Sequence, residues 1–394
     1  MDIARWLDRW PNLWRELDRS ITLHRAASVF ARLGDTYAPS QVARHTRGRV
    51  LREMLEAEPD RRAGLIGCDA NLWTTGTVAV HVGSGHRKPV WLIAHLDAIS
   101  YAVQRKESDR FRLIPLCYHQ ITHGRRPARA LHYSLQTRTM ETFAVGEIVT
   151  EDSGQRVYFE TDAVELPGDA RIVYETQTRV DWDTLMVEGN IDNAFACAAL
   201  YLASVCLGTL RASDTHAAPE VLAAFPDEEE GVTSAGNQAF CKGSMRLFHR
   251  TPLDRLPDLV VVSDVQEAED MADGPGAGRQ GMGQGATFAG VSSLGKGGVV
   301  PPPLLAFQRS LATFLRREGV LLRENTGGYL SRSDDVSAML YTPNVAMIGF
   351  LGVHRHFDGG VPRANLADLV HLAKTLVVYS LIAQDEDWRS QYLA

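Results

Sequence analysis

VWLIAHLDAIS (residues 90–100) runs five apolar residues, Val90 to Ala94, straight into His95 and Asp97. A strand apolar on both faces belongs inside a parallel sheet rather than on a half-solvated one. In open α/β sheets the carboxyl ends of such strands face one crevice, and ligands collect there. The stretch therefore predicts both a fold class and the place where its chemistry sits.

Working outward, the same texture recurs. GTVAVHV (76–82), VLAAF (221–225), LVVVSD (259–264) and NVAMIGF (344–350) read as further strands. Helical spacing fills 2–57, about 302–318 and about 365–383. Strands alternating with helices predict a three-layer α/β/α sandwich on a mostly parallel mixed sheet. Between about 103 and 180 the pattern changes to short β-like pieces such as FRLIPL, FAVGEIV and RVYFE, parted by turn residues. The expected organisation is a catalytic domain of residues 1–102 and 181–394, with 103–180 inserted as a small β-rich lid or dimerisation domain. Residues 272–298 are Gly-rich and read as a loop, either over the crevice or on the surface.

The chain has 394 residues, too many for one ordinary core. Its formal charge of −7 argues against nucleic acid, whose phosphates call for clustered Lys and Arg. The basic stretch HGRRPARALH (123–132) is short and reads as a solvated loop; His119, His123 and His132 of the inserted domain read as surface histidines, with reach into a neighbouring subunit's cleft as the alternative. Five cysteines, none in CxxC spacing, speak against a disulfide framework and for a reducing, cytoplasmic setting. The amphipathic start lacks the apolar centre of a signal peptide, and no segment is expected to approach the roughly 20 apolar residues needed to span a bilayer.

Five segments carry groups that can bind metal or move protons. They are His95 with Asp97, Asp192 at a turn into a helix, the acidic run PDEEEGV (226–232), Asp264 after LVVVS, and His354 with His356 after VAMIGFLG. Each has an ordinary reading alone: an acidic run is a solvated loop, and Asp192 can cap a helix. Together they supply His and carboxylate donors without Cys, which suits hydrolytic zinc, cobalt or manganese.

The order AHLDAIS, GNIDNAFA, FPDEEEGVTSAG, VVVSDVQ and GVHRHFDGG resembles the di-zinc aminopeptidase clan over most of the chain. The inserted β-domain, LPGDARIV, LGKGG and SDDVSAM make it most similar to the cytosolic glutamyl and deblocking aminopeptidases that build tetrahedral dodecamers. Asp192-Asn193-Ala194 departs from that family's usual Asp-Asp-Arg and is similar instead to the secreted branch.

The resemblance implies two divalent cations, zinc foremost, about 3.5–4 Å apart. Asp192 would bridge them, His95 and Asp264 completing one site, Glu229 and the late histidine the other. Gly231 and Ala235 set the register of the acidic run, so that Glu228 would be the general base, Glu229 the ligand and Glu230 neither. Asp97 would hold the His95 ring. Either His354 or His356 could be the last ligand; the nine-residue spacing from His356 to Asn365 favours the latter. Asp334 and Asp335 would support the site.

The expected activity is a metal-dependent aminopeptidase acting on peptides, as a homo-oligomer built from dimers, dodecameric in the tetrahedral case. Two rivals keep the same residues. One is an amidohydrolase or deacylase of an N-acyl amino-acid derivative. The other is a metal-free scaffold, against which the complete ligand set argues.

Overall fold

A computed structural model of the chain describes residues 3–58, 65–231, 241–268, 281–326 and 330–394. Three strands open the main sheet: Ile66–Asp69 (β1), Val78–Val82 (β2) and Val90–Ile93 (β3). A barrel follows, built from Tyr101–Glu107 (β4), Arg110–Pro115 (β5), Gly124–Ser134 (β6), Thr139–Glu151 (β7), Arg156–Glu160 (β8) and Arg171–Tyr174 (β9). Arg179–Val180 (β10) and Met186–Glu188 (β11) lead back to the helix Ile191–Thr209. The sheet then resumes with Val221–Phe225 (β12), Leu259–Val262 (β13), Val265–Glu267 (β14), Ala286–Ala289 (β15), Leu322–Glu324 (β16) and Val345–Gly352 (β17). Arg363–Asn365 (β18) pairs with β11, outside that sheet.

The sheet runs β1-β2-β12-β3-β13-β17-β15-β16, with β14 paired to β17. Its centre, β12-β3-β13-β17, is parallel throughout, and antiparallel pairs flank it at β1-β2-β12 and β17-β15. Helices cover both faces, so the fold class is the mixed α/β sandwich that the strand spacing predicts.

The apolar runs explain the layering. In β3, Val90 and Leu92 join the core cluster that holds the long helices, while Trp91 and Ile93 join the cluster on the opposite face with Phe248. The pattern repeats in β12, with Val221, Ala223 and Phe225 on one side and Leu222 and Ala224 on the other. Period-two alternation of apolar with apolar is what burial on both faces demands.

Two sequence expectations change here. The helix Ile191–Thr209 is 19 residues long with a mean hydropathy of 1.5, long and apolar enough on composition to cross a membrane. It is wholly buried in the fold, covered by the sheet and by the helices Leu23–Gly34 and Leu366–Ile382, and so needs no polar face. The Gly-rich tract is not all loop: Ala286–Ala289 is a buried strand hydrogen-bonded to β17 and β16, and residues 272–280 lie outside the described residues.

The barrel has its own core, with Phe111, Ile148, Phe159 and Ile172 at its centre. It touches the sheet's carboxyl edge through Tyr174, whose ring stacks on Phe357 at 4.5 Å.

Candidate metal centre

The four central strands are parallel and adjacent, so the residues following them converge. His95 follows β3, Glu229 and Glu230 follow β12, Asp264 follows β13, and His356 follows β17. Asp192 comes from the first turn of the helix Ile191–Thr209, before regular helical geometry begins at Ala194. All six are buried.

They form two triads, His95–Glu229–Asp264 and Asp192–Glu230–His356, and within each the donor atoms lie within 4.8 Å of one another. Asp192 joins the two. Its Oδ1 is 3.2 Å from His95 Nε2, and its Oδ2 is 3.4 Å from His356 Nε2. His95 Nε2 is also 3.7 Å from Asp264 Oδ2 and 3.8 Å from Glu229 Oε2. His356 Nε2 stands 3.6 Å from Glu230 Oε2.

The acidic run enters one residue later than its spacing predicts. Glu229 and Glu230 point into the site, while Glu228 turns away and pairs its carboxylate with Arg246. The cause is local. Glu228 has φ +64°, in the left-handed region, and its N–H donates to Asp227 Oδ1. The next two N–H groups, of Glu229 and Glu230, donate to Asp97 Oδ1 and Oδ2 at 3.0 and 3.3 Å. Val232 to Ala235, part of the segment that set the register, lie outside the described residues.

Asp97 thus has more partners than expected. Its carboxylate also accepts from Ser40 Oγ at 2.6 Å. Toward His95 it offers its backbone carbonyl, 3.1 Å from Nδ1, with Oδ1 farther at 3.5 Å. The His356 ring is fixed likewise: Nδ1 lies 2.8 Å from the Tyr118 carbonyl, contributed by the barrel segment between β5 and β6. His354 belongs to neither triad, with φ +58° and its Nδ1 3.7 Å from Asp358 Oδ1.

The electrostatics call for cations. Burial pushes Glu229 well above the usual carboxylate range, helped by Glu230, Asp264 and Asp334 and opposed by His95. Burial raises Glu230 to about 8, with His356 opposing it and Asp192 adding to it. Burial takes Asp334 to about 7 beside the first triad. For His95, burial disfavours the charged ring, yet Glu229, Asp192, Asp264 and Asp97 outweigh it and hold the group well above its ordinary value. Buried charges this dense persist only when paired or bound to metal. Among the described residues, His95 Nε2, His356 Nε2, Asp192 Oδ1 and Glu230 Oε1 are buried without a hydrogen-bond partner. Ligating atoms left bare in this way fit divalent cations held within this cluster.

Three supporting residues gave no sequence signal. Arg355, between the two histidines, sets Nη1 3.6 Å from Asp192 Oδ2 and donates from Nε to Glu267 at 2.8 Å. Arg47 is fully buried and donates to the carbonyls of Leu33 and Leu96. His119 is a network residue rather than a surface one: its Nδ1 is 2.9 Å from the Tyr101 hydroxyl, itself 2.7 Å from that of Tyr174. Asp335 accepts from Ser292 Oγ and the N–H groups of Gly298 and Ser333, tying two loop segments beside the first triad.

No protein-family model and no curated protein matches the chain. Solved structures do. It superimposes on the aminopeptidase APDkam598 from the archaeon Desulfurococcus kamchatkensis with a TM-score of 0.70 and 15% identity, covering 94% of this chain and 98% of that one. A TET aminopeptidase from the marine sediment archaeon Thaumarchaeota archaeon SCGC AB-539-E09 gives a TM-score of 0.69 at 15% identity, covering 94% and 99%. The TET1 peptidase of Pyrococcus horikoshii, described as assembling into a tetrahedron or a large octahedral shell, gives 0.63 at 16%, covering 91% and 99%. Over nearly its whole length, the chain has the fold of these archaeal aminopeptidases.

Proposed function

We propose that this protein is a metal-dependent aminopeptidase that removes N-terminal residues from peptides. The observation that carries the reading is Asp192, whose two carboxylate oxygens face two separate buried histidines, 3.2 and 3.4 Å away. A carboxylate so shared is the natural bridge of a two-cation site. His95, Asp192 and Asp264 would hold one ion; His356, Asp192 and Glu230 would hold the other. Zinc suits these nitrogen and oxygen donors, with cobalt and manganese as substitutes. A bound pair of such ions supplies Lewis acidity and makes water a nucleophile near neutral pH.

The rest is assigned to the chain's own groups. Glu229 is the carboxylate left over once each cation has its three ligands, and we assign it the general base. It accepts the proton of the attacking water at one carboxylate oxygen and delivers it to the leaving amine nitrogen. Asp97 keeps the Glu229–Glu230 backbone and the His95 ring in fixed relation, so the base and both ligand positions move as one unit. The barrel is assigned a lid and subunit-contact role within a homo-oligomer. Phe143 and Val145 on β7, about half exposed at 49% and 56%, support the contact surface.

The test is a panel of free-amine and N-acylated peptides, run on the wild type and on Glu229→Gln. Hydrolysis of the free-amine substrates alone is expected. The substitution should lower kcat by about two to four orders of magnitude while both cations stay bound. Activity confined to N-acylated substrates would replace this reading with the deacylase.

A further inference from the structure

The two proposed cation positions, His95–Asp192–Asp264 and His356–Asp192–Glu230, share Asp192 but not their surroundings. Around the first, the charged neighbours are carboxylates: Glu229 and Asp264 face His95 Nε2, Asp97 lies behind the ring, and Asp334 is buried alongside. Among the described residues no Lys or Arg forms an ion pair with Glu229 or Asp264: Arg355 acts on Asp264 only at longer range, and the buried Arg47, near Asp97 and Asp192, donates instead to the Leu33 and Leu96 carbonyls. The second triad contributes one carboxylate of its own, Glu230, and meets a resident cation. The guanidinium of Arg355 is largely shielded from solvent, with Nη1 3.6 Å from Asp192 Oδ2, the oxygen that faces His356. Glu267, on the other edge of the guanidinium at 2.8 Å from Nε, is more exposed, its side chain 35% accessible against 11% for Arg355. Its cancellation of the Arg355 charge is therefore partial.

Like charges a few ångströms apart in a site shielded from water repel strongly, because the effective dielectric constant there is far below that of bulk water. From this arrangement we propose that Arg355 makes the Asp192–Glu230–His356 position the weaker of the two cation sites. That position fills and empties with ambient metal while the His95–Asp264 position stays loaded. The inference rests on the two-cation reading above and concerns how that site is regulated.

Direct metal binding tests it without recourse to activity. The metal-stripped full chain is titrated with zinc by calorimetry against a competing chelator, and the stoichiometry is fixed by elemental analysis. The wild type should bind two cations in two separable steps. Arg355→Met should tighten the second step by at least about tenfold, about 1.4 kcal/mol, and change the first less. Glu267→Gln, at a partly exposed position, should act in the opposite direction and weaken the second step several-fold. Two cations in the wild type with an unchanged or weakened second step in Arg355→Met would overturn the inference and leave the two-cation reading standing. A Glu267→Gln protein whose second step is unchanged or tighter would do the same. One cation or none per wild-type chain would overturn both.

Discussion

The carboxyl edge of the parallel sheet and the barrel beside it solve different problems. At the sheet edge, four short strands with almost no polar residue end within reach of one another, and all the polarity is concentrated just past their ends. In the barrel, β6 and β7 are 11 and 13 residues long, mix buried with exposed positions, and carry ion pairs along their length such as Arg125–Glu147 and Arg129–Glu175. Among the described residues, the hydrogen bond that the barrel side makes to a proposed ligand comes from a backbone carbonyl, that of Tyr118. Changes at the sheet edge should therefore cost chemistry, and changes in the barrel should cost stability.

The largest expected effect is at Asp192. Asp192→Ala removes a donor from both proposed cation positions, and elemental analysis should find cation occupancy lost together with activity. Retention of two cations per chain would break the comparison at its centre. Chelation of the wild type should act in the same direction on stability. Ligands that bind only the folded state add RT ln(1 + [L]/Kd), about 4 kcal/mol at a thousandfold excess over Kd. The thermal midpoint should fall on chelation and recover when zinc is restored.

Tyr101→Phe sharpens the contrast from the barrel side. It strips partners from His119 and the Tyr174 hydroxyl in a buried network. Denaturant unfolding should show a loss of about 1–3 kcal/mol, with both cations retained. A full loss of turnover without loss of stability would mean that the barrel does chemistry as well.

The smallest effect is expected at Glu228. Its partly exposed pair with Arg246 should contribute about 0–1 kcal/mol, and Glu228→Gln should keep turnover near the wild-type value. A collapse of kcat in this variant, with Glu229→Gln spared, would reverse the roles proposed for the two neighbours.

What the sequence displayed depended on how local the physics is. Strands such as VLAAF, and the convergence of residues behind them, follow from apolar runs and the rules of parallel sheets, and β3, β12, β13 and β17 lie where those runs predict. The alternation of those runs with helical stretches supplied the fold class, and the motif order supplied a family likeness that 15% identity to the solved structures would not suggest. The acidic run was legible as chemistry but not in register, because its entry into the site depends on a left-handed turn at Glu228 and hydrogen bonds to a residue 132 positions away. Arg355, Arg47 and His119 were invisible for the same reason: a buried polar side chain has no periodicity, and its partners appear only in three dimensions. The strand at Ala286–Ala289 was masked by the glycines around it. There Gly285 is held at φ +109° by hydrogen bonding of its N–H to Asp368, a conformation a glycine count cannot distinguish from a loop.

The contact of Asp97 with two successive N–H groups also bears on how this site can be engineered or diverge. The glutamates are indexed by the hydrogen bonds that their N–H groups donate to Asp97 just past the end of β3, not by their distance from a following glycine. A residue inserted or deleted after Gly231 would leave the Asp97 contacts, and hence the active pair, where they are. One inserted between Phe225 and Glu229 would shift the ruler itself and present Asp97 with a different pair of side chains. The site would then be rewritten without any ligand having been mutated.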